Sequence, residues 1–266
     1  MHTKYCTDFL EWEKTKKNLM NDANYSMLAK KITKAIKFQL PDDGKILDIK
    51  HTGNPFKKYK EYIPVIKLPY DLLVMEFRFL DSASNPAPSI VLFEQIENKI
   101  MFNTLIKVEQ LDAWVSLTTQ AVMLVIDEHG EDVSVHFPPV FLANTAGEET
   151  SKHVLMQSIE ILFSFLAALC CSNSDATTEI KVDEKLNKSR IKKGKVPYFS
   201  YKILTINTNK NAVVSGESTH KGNHASPRVH LRRGHIRRLP DKTVWVNACT
   251  VGNKAIGIIE KTYKVI

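Results

Sequence analysis

The sequence predicts an α+β protein in which an antiparallel sheet is covered by helices, with a smaller β-rich module at the C-terminus. Three observations support this fold class. Apolar residues recur at three-to-four spacing before Pro41 and again after Phe141, which is the period of a helix. Between these segments they alternate with polar residues, which is the period of a strand. Short alternating runs return after residue 197.

The N-terminal segment is predicted to be helical up to Pro41, which stops the pattern. Its apolar positions are Met27, Leu28, Ile32, Ala35 and Ile36, and its other face carries Lys30, Lys31, Lys34 and Lys37. We expect this lysine face to be solvated, as such helix faces commonly are. An earlier helix is predicted over residues 9–20.

Residues 47–141 are predicted to form the sheet. In residues 73–79, apolar side chains alternate with Val74, Glu76 and Arg78, as in a strand that buries one face. Further strands are predicted at residues 89–96, 99–107, 113–126 and 132–137. Their short spacers favour an antiparallel meander, because a parallel pair needs a crossover of about a dozen residues or more.

A long helix is predicted from the segment after Phe141 to Cys171, and its broad apolar face would cover the sheet. The polar segment 172–197, with its run KSRIKKGK, predicts a basic linker. We therefore expect an α+β domain over residues 1–171 and a β-rich module over residues 198–266. The strands of the module are predicted at residues 198–207, 229–239, 243–251 and 257–265, with a turn at Pro240 and Asp241.

Positive charge is concentrated in the C-terminal third of the chain. The 266 residues are 43% hydrophobic and 25% charged, which is typical of a globular protein, and the formal net charge is +8. Residues 181–195 hold seven basic and two acidic residues, and residues 220–239 hold six basic and no acidic ones. Such a distribution favours a polyanionic partner, with nucleic acid ahead of an acidic protein or a membrane surface.

Several classes of protein are disfavoured. The cysteines, at positions 6, 170, 171 and 249, have no spacing typical of zinc ligands or disulfide partners, and we expect neither metal nor cofactor. The N-terminus lacks the apolar centre of a secretory signal, and the longest apolar run, eleven residues, is short of the roughly twenty that cross a bilayer. Glycine-rich phosphate loops, nucleophile elbows and HExxH motifs are missing. A cytoplasmic, non-enzymatic protein without a membrane span is predicted.

The segment RVHLRRGHIRR, residues 228–238, holds five of the seven arginines of the chain, in which lysine outnumbers arginine thirty to seven. Arginine is favoured where a planar, forked donor meets phosphate or stacks on a base. We predict that nucleic acid, DNA or RNA, is bound by Arg228, Arg232, Arg233, Arg237 and Arg238, together with Lys192 and Lys193 of the linker. The structural alternative is that these arginines pair with carboxylates of the N-terminal domain.

Two other functions are compatible with the sequence. A metal-independent ribonuclease would use His230 or His235, because histidine and arginine together can supply a general base, a general acid and cations that hold the phosphate. These two histidines are an odd number of residues apart, so a regular strand would point them to opposite faces. The other alternative is a protein-binding inhibitor of a host system, in which the arginines are structural.

The C-terminal segment resembles a group of uncharacterised phage and prophage proteins. The matching core S-P-R-x-H-x-R-R-G-H-x-R begins at Ser226, and V-W-V follows at residues 244–246. The resemblance covers about 70 residues and carries no assigned activity. It implies a phage-derived protein in the cytoplasm of a bacterial host, and we predict an accessory protein that binds nucleic acid or a host protein associated with nucleic acid.

Overall fold

The computed structural model describes residues 4–15, 22–47, 59, 62–80, 86–129, 132–138, 147–172, 174–206, 228–232, 235–246, 249–251 and 253–258. In these residues the chain forms four α-helices and fourteen strands, and the predicted α+β class is confirmed. The helices are α1 (Tyr5–Thr15), α2 (Asp22–Lys34), α3 (Gly147–Leu169) and α4 (Glu184–Lys192).

Nine strands form one large sheet. They are β1 (Ile36–Gln39), β2 (Leu72–Leu80), β3 (Pro86–Ile96), β4 (Lys99–Val108), β5 (Ala113–Ser116), β6 (Val122–Ile126), β7 (Val133–His136), β8 (Ser174–Ile180) and β9 (Tyr201–Ile206). Their order across the sheet is β7-β6-β4-β3-β2-β1-β9-β8, with β5 beside β4. The predicted antiparallel meander is present in β2, β3, β4, β6 and β7, whereas β1 is parallel to both of its neighbours, so the whole sheet is mixed.

Strand β1 corrects the prediction for the N-terminal segment. The helix ends at Lys34, and Ile36–Gln39 is a strand between β2 and β9. The run Ile-Lys-Phe-Gln satisfies both the helical period and strict alternation, and packing decides between them. Phe38 lies against Phe165 of α3, with ring centroids 4.9 Å apart, while Lys37 points to the opposite face of the sheet. The predicted strand 113–126 is likewise two strands, β5 and β6, which both pair with β4.

The segment 172–197, predicted as a basic linker, contains β8 and α4. β8 is the edge strand of the large sheet and pairs with β9, which in turn pairs with β1. The large sheet therefore includes strands on both sides of this segment. The division into domains at residues 171 and 197 stays a prediction.

Helices cover the sheet on both faces. α3 packs on the face that carries Leu73, Met75, Phe77 and Phe79, as the alternation predicts. α1 and α2 pack on the other face, where Val74 is fully buried. The strand β2 thus buries both faces instead of the single face predicted. The reason is that two helices distant in sequence from β2 lie over its more polar side.

Helix α3 is long and apolar enough to cross a membrane by length and composition, over Ser151–Leu169. However, 67% of this stretch is buried inside the protein. Its side chains pack with those of the sheet, as in the core helix that the sequence predicts.

The C-terminal residues form a hairpin and a small sheet. Strands β11 (His235–Arg238) and β12 (Thr243–Val246) pair across the predicted turn at Pro240 and Asp241, where the Leu239 N–H donates to the Lys242 carbonyl at 2.7 Å. The small sheet has the order β13-β10-β14, with β10 (Arg228–Arg232), β13 (Cys249–Val251) and β14 (Asn253–Ile258). The hairpin docks on the large body, because the Ser172 N–H donates to the Thr243 carbonyl at 2.7 Å.

Candidate functional site

A pocket lies between the start of α1, the sheet at β1 and β2, the end of β8, and α4. We call it the α1–α4 pocket. Its volume is about 190 Å³. The walls are mostly apolar or aromatic and are formed by Ile180, Val182, Leu186, Tyr198, Phe199 and Tyr201. Thr7, Lys37 and Glu76 also line it, and Lys4, Lys181 and Asp183 complete the lining.

Glu76 is buried in the pocket and holds the first turn of α1. Its Oε1 accepts a hydrogen bond from the Cys6 N–H at 2.8 Å, and the backbone of Tyr5 also hydrogen-bonds to this carboxyl group. The first N–H groups of a helix have no partner within the helix and carry partial positive charge, so an acceptor from the sheet satisfies both needs. Burial raises the pKa of Glu76, against the opposing effect of these hydrogen bonds.

Lys37 is buried on the same face and holds the last turn of α2. Its Nζ donates to the Ala35 carbonyl at 2.8 Å and to the Thr33 carbonyl at 3.2 Å, where the helix end carries partial negative charge. The ammonium group also lies 4.0 Å from the centre of the Phe199 ring. Burial lowers the pKa of Lys37, while the nearby Glu76 opposes that shift. Each buried charge therefore meets the helix end of opposite sign.

The thiol of Cys6 lies beside Glu76 and is fully buried. Burial raises the pKa of this thiol well above its ordinary value, and the charge of Glu76 raises it further. A thiol is nucleophilic as the thiolate, and the raised pKa disfavours that form of Cys6. Both charged groups of the pocket floor are engaged with helix ends.

Helix α4 forms one wall of the pocket and is anchored to the body through Asn187 and Arg190. The side chain of Asn187 forms two hydrogen bonds with the backbone of Tyr198. Asn187 Oδ1 accepts from the Tyr198 N–H at 2.8 Å, and Asn187 Nδ2 donates to the Tyr198 carbonyl at 2.9 Å. Arg190 donates from Nε to the Val196 carbonyl at 2.8 Å and forms an ion pair with Glu11 of α1. Its guanidinium lies 3.9 Å from the centre of the Tyr198 ring.

Leu186 lines the pocket although the residue is 45% exposed. A leucine that is both exposed and adjacent to an apolar cavity gives a partner continuous apolar surface to cover. Asp183, by contrast, is engaged as the N-cap of α4, where its Oδ1 accepts from the Lys185 N–H at 2.8 Å.

Of the residues predicted to bind nucleic acid, Lys192, Lys193 and Arg237 have described side chains, and none of these three lines the pocket. Lys192 and Lys193 are exposed at the C-terminal end of α4. Arg228 and Arg232 lie at the two ends of β10, and β11 contains the exposed Arg237 and, at its last position, Arg238. Arg233 is outside the described residues. Their binding role stays a prediction.

The two arginines outside the C-terminal cluster have internal partners. Arg78 donates from Nε to the Tyr5 hydroxyl at 2.8 Å and lies 3.9 Å from Asp42, and Arg190 pairs with Glu11. Arg78 thus links β2 to α1, and Arg190 links α4 to α1. Pairing of the same kind is the structural alternative for the C-terminal arginines.

The sequence reasoning missed the charged floor of the pocket. Glu76 interrupts an otherwise apolar stretch, LLVMEF, and Lys37 stands between Ile36 and Phe38. A charge flanked by apolar residues in a short strand was the available signal. The same pattern is equally typical of the solvated side of an amphipathic strand, which is what the alternation predicts.

The described residues include no group of three or more His, Cys, Asp or Glu side chains that could hold a metal ion. Cys6, Cys170 and Cys171 are free thiols.

A comparison with protein families matches residues 28–240, more than half of the chain, to the AcrVA2-like family, described as the anti-CRISPR type V subtype A2 family. The chain belongs to this anti-CRISPR family. The match runs from α2 to the hairpin turn and includes the large sheet, α3 and α4. The predicted phage origin is confirmed in this coarser form, as membership of a phage-derived anti-CRISPR family. No curated protein and no solved structure matches the chain.

Proposed function

We propose that the protein inhibits a type V CRISPR system of a bacterial host by binding a protein component of that system at the α1–α4 pocket. Membership of the anti-CRISPR type V family supports the target. The observation that carries the protein contact is Leu186, which is exposed beside an apolar cavity on a helix anchored by Asn187 and Arg190. Such inhibition takes place in the host cytoplasm.

The size of the pocket favours one inserted side chain over a whole small molecule. Its volume of about 190 Å³ is below the roughly 300–1,000 Å³ typical of ligand and cofactor sites. Interfaces between proteins concentrate binding free energy in a few apolar or aromatic anchors that fill such pockets. We expect an apolar anchor of the partner to enter between Leu186 and Phe199.

Charge at the pocket entrance favours an acidic segment of the partner. Lys4 and Lys181 are exposed and line the pocket, whereas Asp183 is engaged in capping α4. Carboxylates that flank the apolar anchor would lie near these ammonium groups and speed association.

Substitution Leu186→Asp tests this function. Placing a charge at the mouth should weaken inhibition by about 30-fold, the size of a 2 kcal/mol hot spot. The readout is the survival of a targeted plasmid in bacteria that carry a type V CRISPR system. Copurification with the purified CRISPR-associated proteins, after nuclease treatment, reports the contact directly.

The matched control is Leu111→Asp. Leu111 is 68% exposed in the short helical turn after β4, so the same change is made on exposed surface outside the pocket lining. Both variants should keep the melting temperature of the parent protein. If Leu186→Asp inhibits as strongly as Leu111→Asp, the pocket is not the contact.

A second candidate function is nucleic-acid binding through the arginine-rich strands. It is favoured by the exposure of Arg237 on the β11–β12 hairpin. Replacing Arg232 and Arg233 together by alanine should then flatten the salt dependence of binding, because each phosphate contact contributes to that slope. Salt-insensitive binding by the parent protein would contradict this function.

The ribonuclease alternative stays a prediction. His230 lies in β10 of the small sheet, whereas His235 lies in β11 of the hairpin. RNA left intact after long incubation in EDTA would remove this alternative.

A further inference from the structure

The outward face of α4 is a stripe of lysines. Asn187 and Arg190 attach the helix to the body, and these two positions define its inward face. Successive residues of an α-helix are about 100° apart. On that geometry Lys185, Lys188 and Lys192 fall within a sector of about 60°, on the side opposite Asn187 and Arg190.

All three lysines are exposed, and none forms an ion pair with a carboxylate in the part of the chain that the structure describes. The rise of a helix spaces them by about 4.5 Å and 6 Å along the axis. Lys193 and Lys195, also exposed, extend the positive surface beyond the C-terminal end of α4. We call these five residues the α4 lysine surface.

Two acidic residues, Asp183 and Glu184, stand beside the five lysines of the α4 lysine surface and neutralise its charge only in part. Asp183 is engaged with the backbone of Lys185 at the N-cap, and Glu184 lies in the first turn, where the helix dipole favours a negative charge. Arg190, the one arginine of α4, is turned inward to Glu11 and Tyr198. The helix thus uses arginine for attachment and lysine for the surface it presents to a partner.

We infer that the α4 lysine surface binds the phosphate backbone of a nucleic acid. Lysine ammonium groups act as point charges on flexible stems, which suits sequence-independent contact with phosphates. The rigid attachment of α4 keeps three of these charges in a row, so a strand can meet them together and release several counterions. The inference goes beyond the proposed function, because this face is separate from the apolar pocket and takes a different class of partner.

The test compares two triple variants by the salt dependence of nucleic-acid binding. The first carries Lys185→Gln, Lys188→Gln and Lys192→Gln. The control carries Lys14→Gln, Lys30→Gln and Lys34→Gln, which removes three exposed lysines from α1 and α2. Each triple lowers the formal net charge of +8 by the same amount. Fluorescence anisotropy with labelled duplex DNA and with single-stranded RNA, over roughly 50–200 mM salt, gives the slope.

We expect the first triple to lose about 2 to 3 from the slope of log affinity against log salt on duplex DNA, near 0.9 for each phosphate contact. The control should keep the parent slope. Equal losses in both variants would assign the effect to net charge and overturn the inference. So would an unchanged slope in the first triple, because binding would then rest on the arginine-rich strands. Displacement by polyglutamate as effective as that by nucleic acid would assign the surface to an acidic protein instead.

A second measurement needs no variant. Brief acetylation of the parent protein, read by mass spectrometry, reports the accessibility of each lysine with and without bound nucleic acid. Protection of Lys185, Lys188 and Lys192, with Lys14, Lys30 and Lys34 still reactive, is the expected pattern. Equal reactivity of both sets in the complex overturns the inference.

Discussion

The two faces of the nine-stranded sheet bury their polar groups in different ways. On the face under α3, the buried polar side chains are uncharged. The hydroxyls of Thr104 and Ser158, for example, form a hydrogen bond of 3.0 Å. On the face under α1 and α2, two charged side chains, Lys37 and Glu76, are buried. One face is a conventional core, and the other combines a core with charges at two helix ends.

The two faces therefore have different roles: one stabilises the sheet, and the other positions α1 and α2. Apolar burial is non-directional, so the α3 face can stabilise the sheet without specifying how anything else is oriented. A carboxylate that accepts from the first N–H groups of α1 fixes where that helix begins, and an ammonium group that donates to the last carbonyls of α2 fixes where that one ends. The α1–α4 pocket opens beside these two charges. The candidate site therefore lies on the face whose hydrogen bonds fix the ends of α1 and α2.

The largest effect is expected on the α3 face. Phe165→Ala should lower the free energy of unfolding by about 3–5 kcal/mol, because Phe165 is fully buried and packs edge-on against Phe38. Urea unfolding measures this change. Inhibition by the folded fraction should be unaffected. A cost below about 1 kcal/mol would contradict the view that this face supplies most of the stability.

A smaller effect is expected at the charged face. Glu76→Leu should cost about 1–3 kcal/mol, since it leaves the Cys6 N–H at the start of α1 buried without an acceptor. Glu76→Gln is the matched control, because its amide oxygen can still accept this hydrogen bond. Equal stability of the two variants in urea would show that the acceptor is unimportant, and the positioning role of this face would then be lost.

The smallest effect is a dependence on pH. The pKa of Glu76 is raised in the folded state, so its contribution to stability is complete below the ordinary value of 4.5 and is lost as the pH rises through the folded value. Lys37, the Cys6 thiol and Tyr201 are titratable groups beside it. Stability should therefore fall as the pH rises above 4.5, and more steeply in the parent protein than in Glu76→Gln. Parallel curves for the two proteins would mean that the folded state does not shift this carboxyl group.

The local sequence pattern predicted those helices, strands and turns that depend mainly on their own residues. Strand β2 alternates, and its side with Leu73, Met75, Phe77 and Phe79 faces α3 as expected. The hairpin turn at Pro240 and Asp241 was also predictable, because proline and aspartate favour a turn without help from distant residues. The burial of Glu76 was not, because it depends on Cys6, seventy residues earlier.

The sequence by itself determined the fold class, the antiparallel meander, the core helix α3 and the concentration of positive charge towards the C-terminus. Only the tertiary structure decided that residues 36–39 form a strand parallel to β2 and β9, that β8 joins the same sheet, and that Lys37 and Glu76 are buried at helix ends. The physical reason is that these features depend on contacts between residues far apart in the sequence. Periodicity reports whether a segment has an apolar side, whereas the partner that covers its polar side lies elsewhere in the chain and leaves no mark on the local pattern.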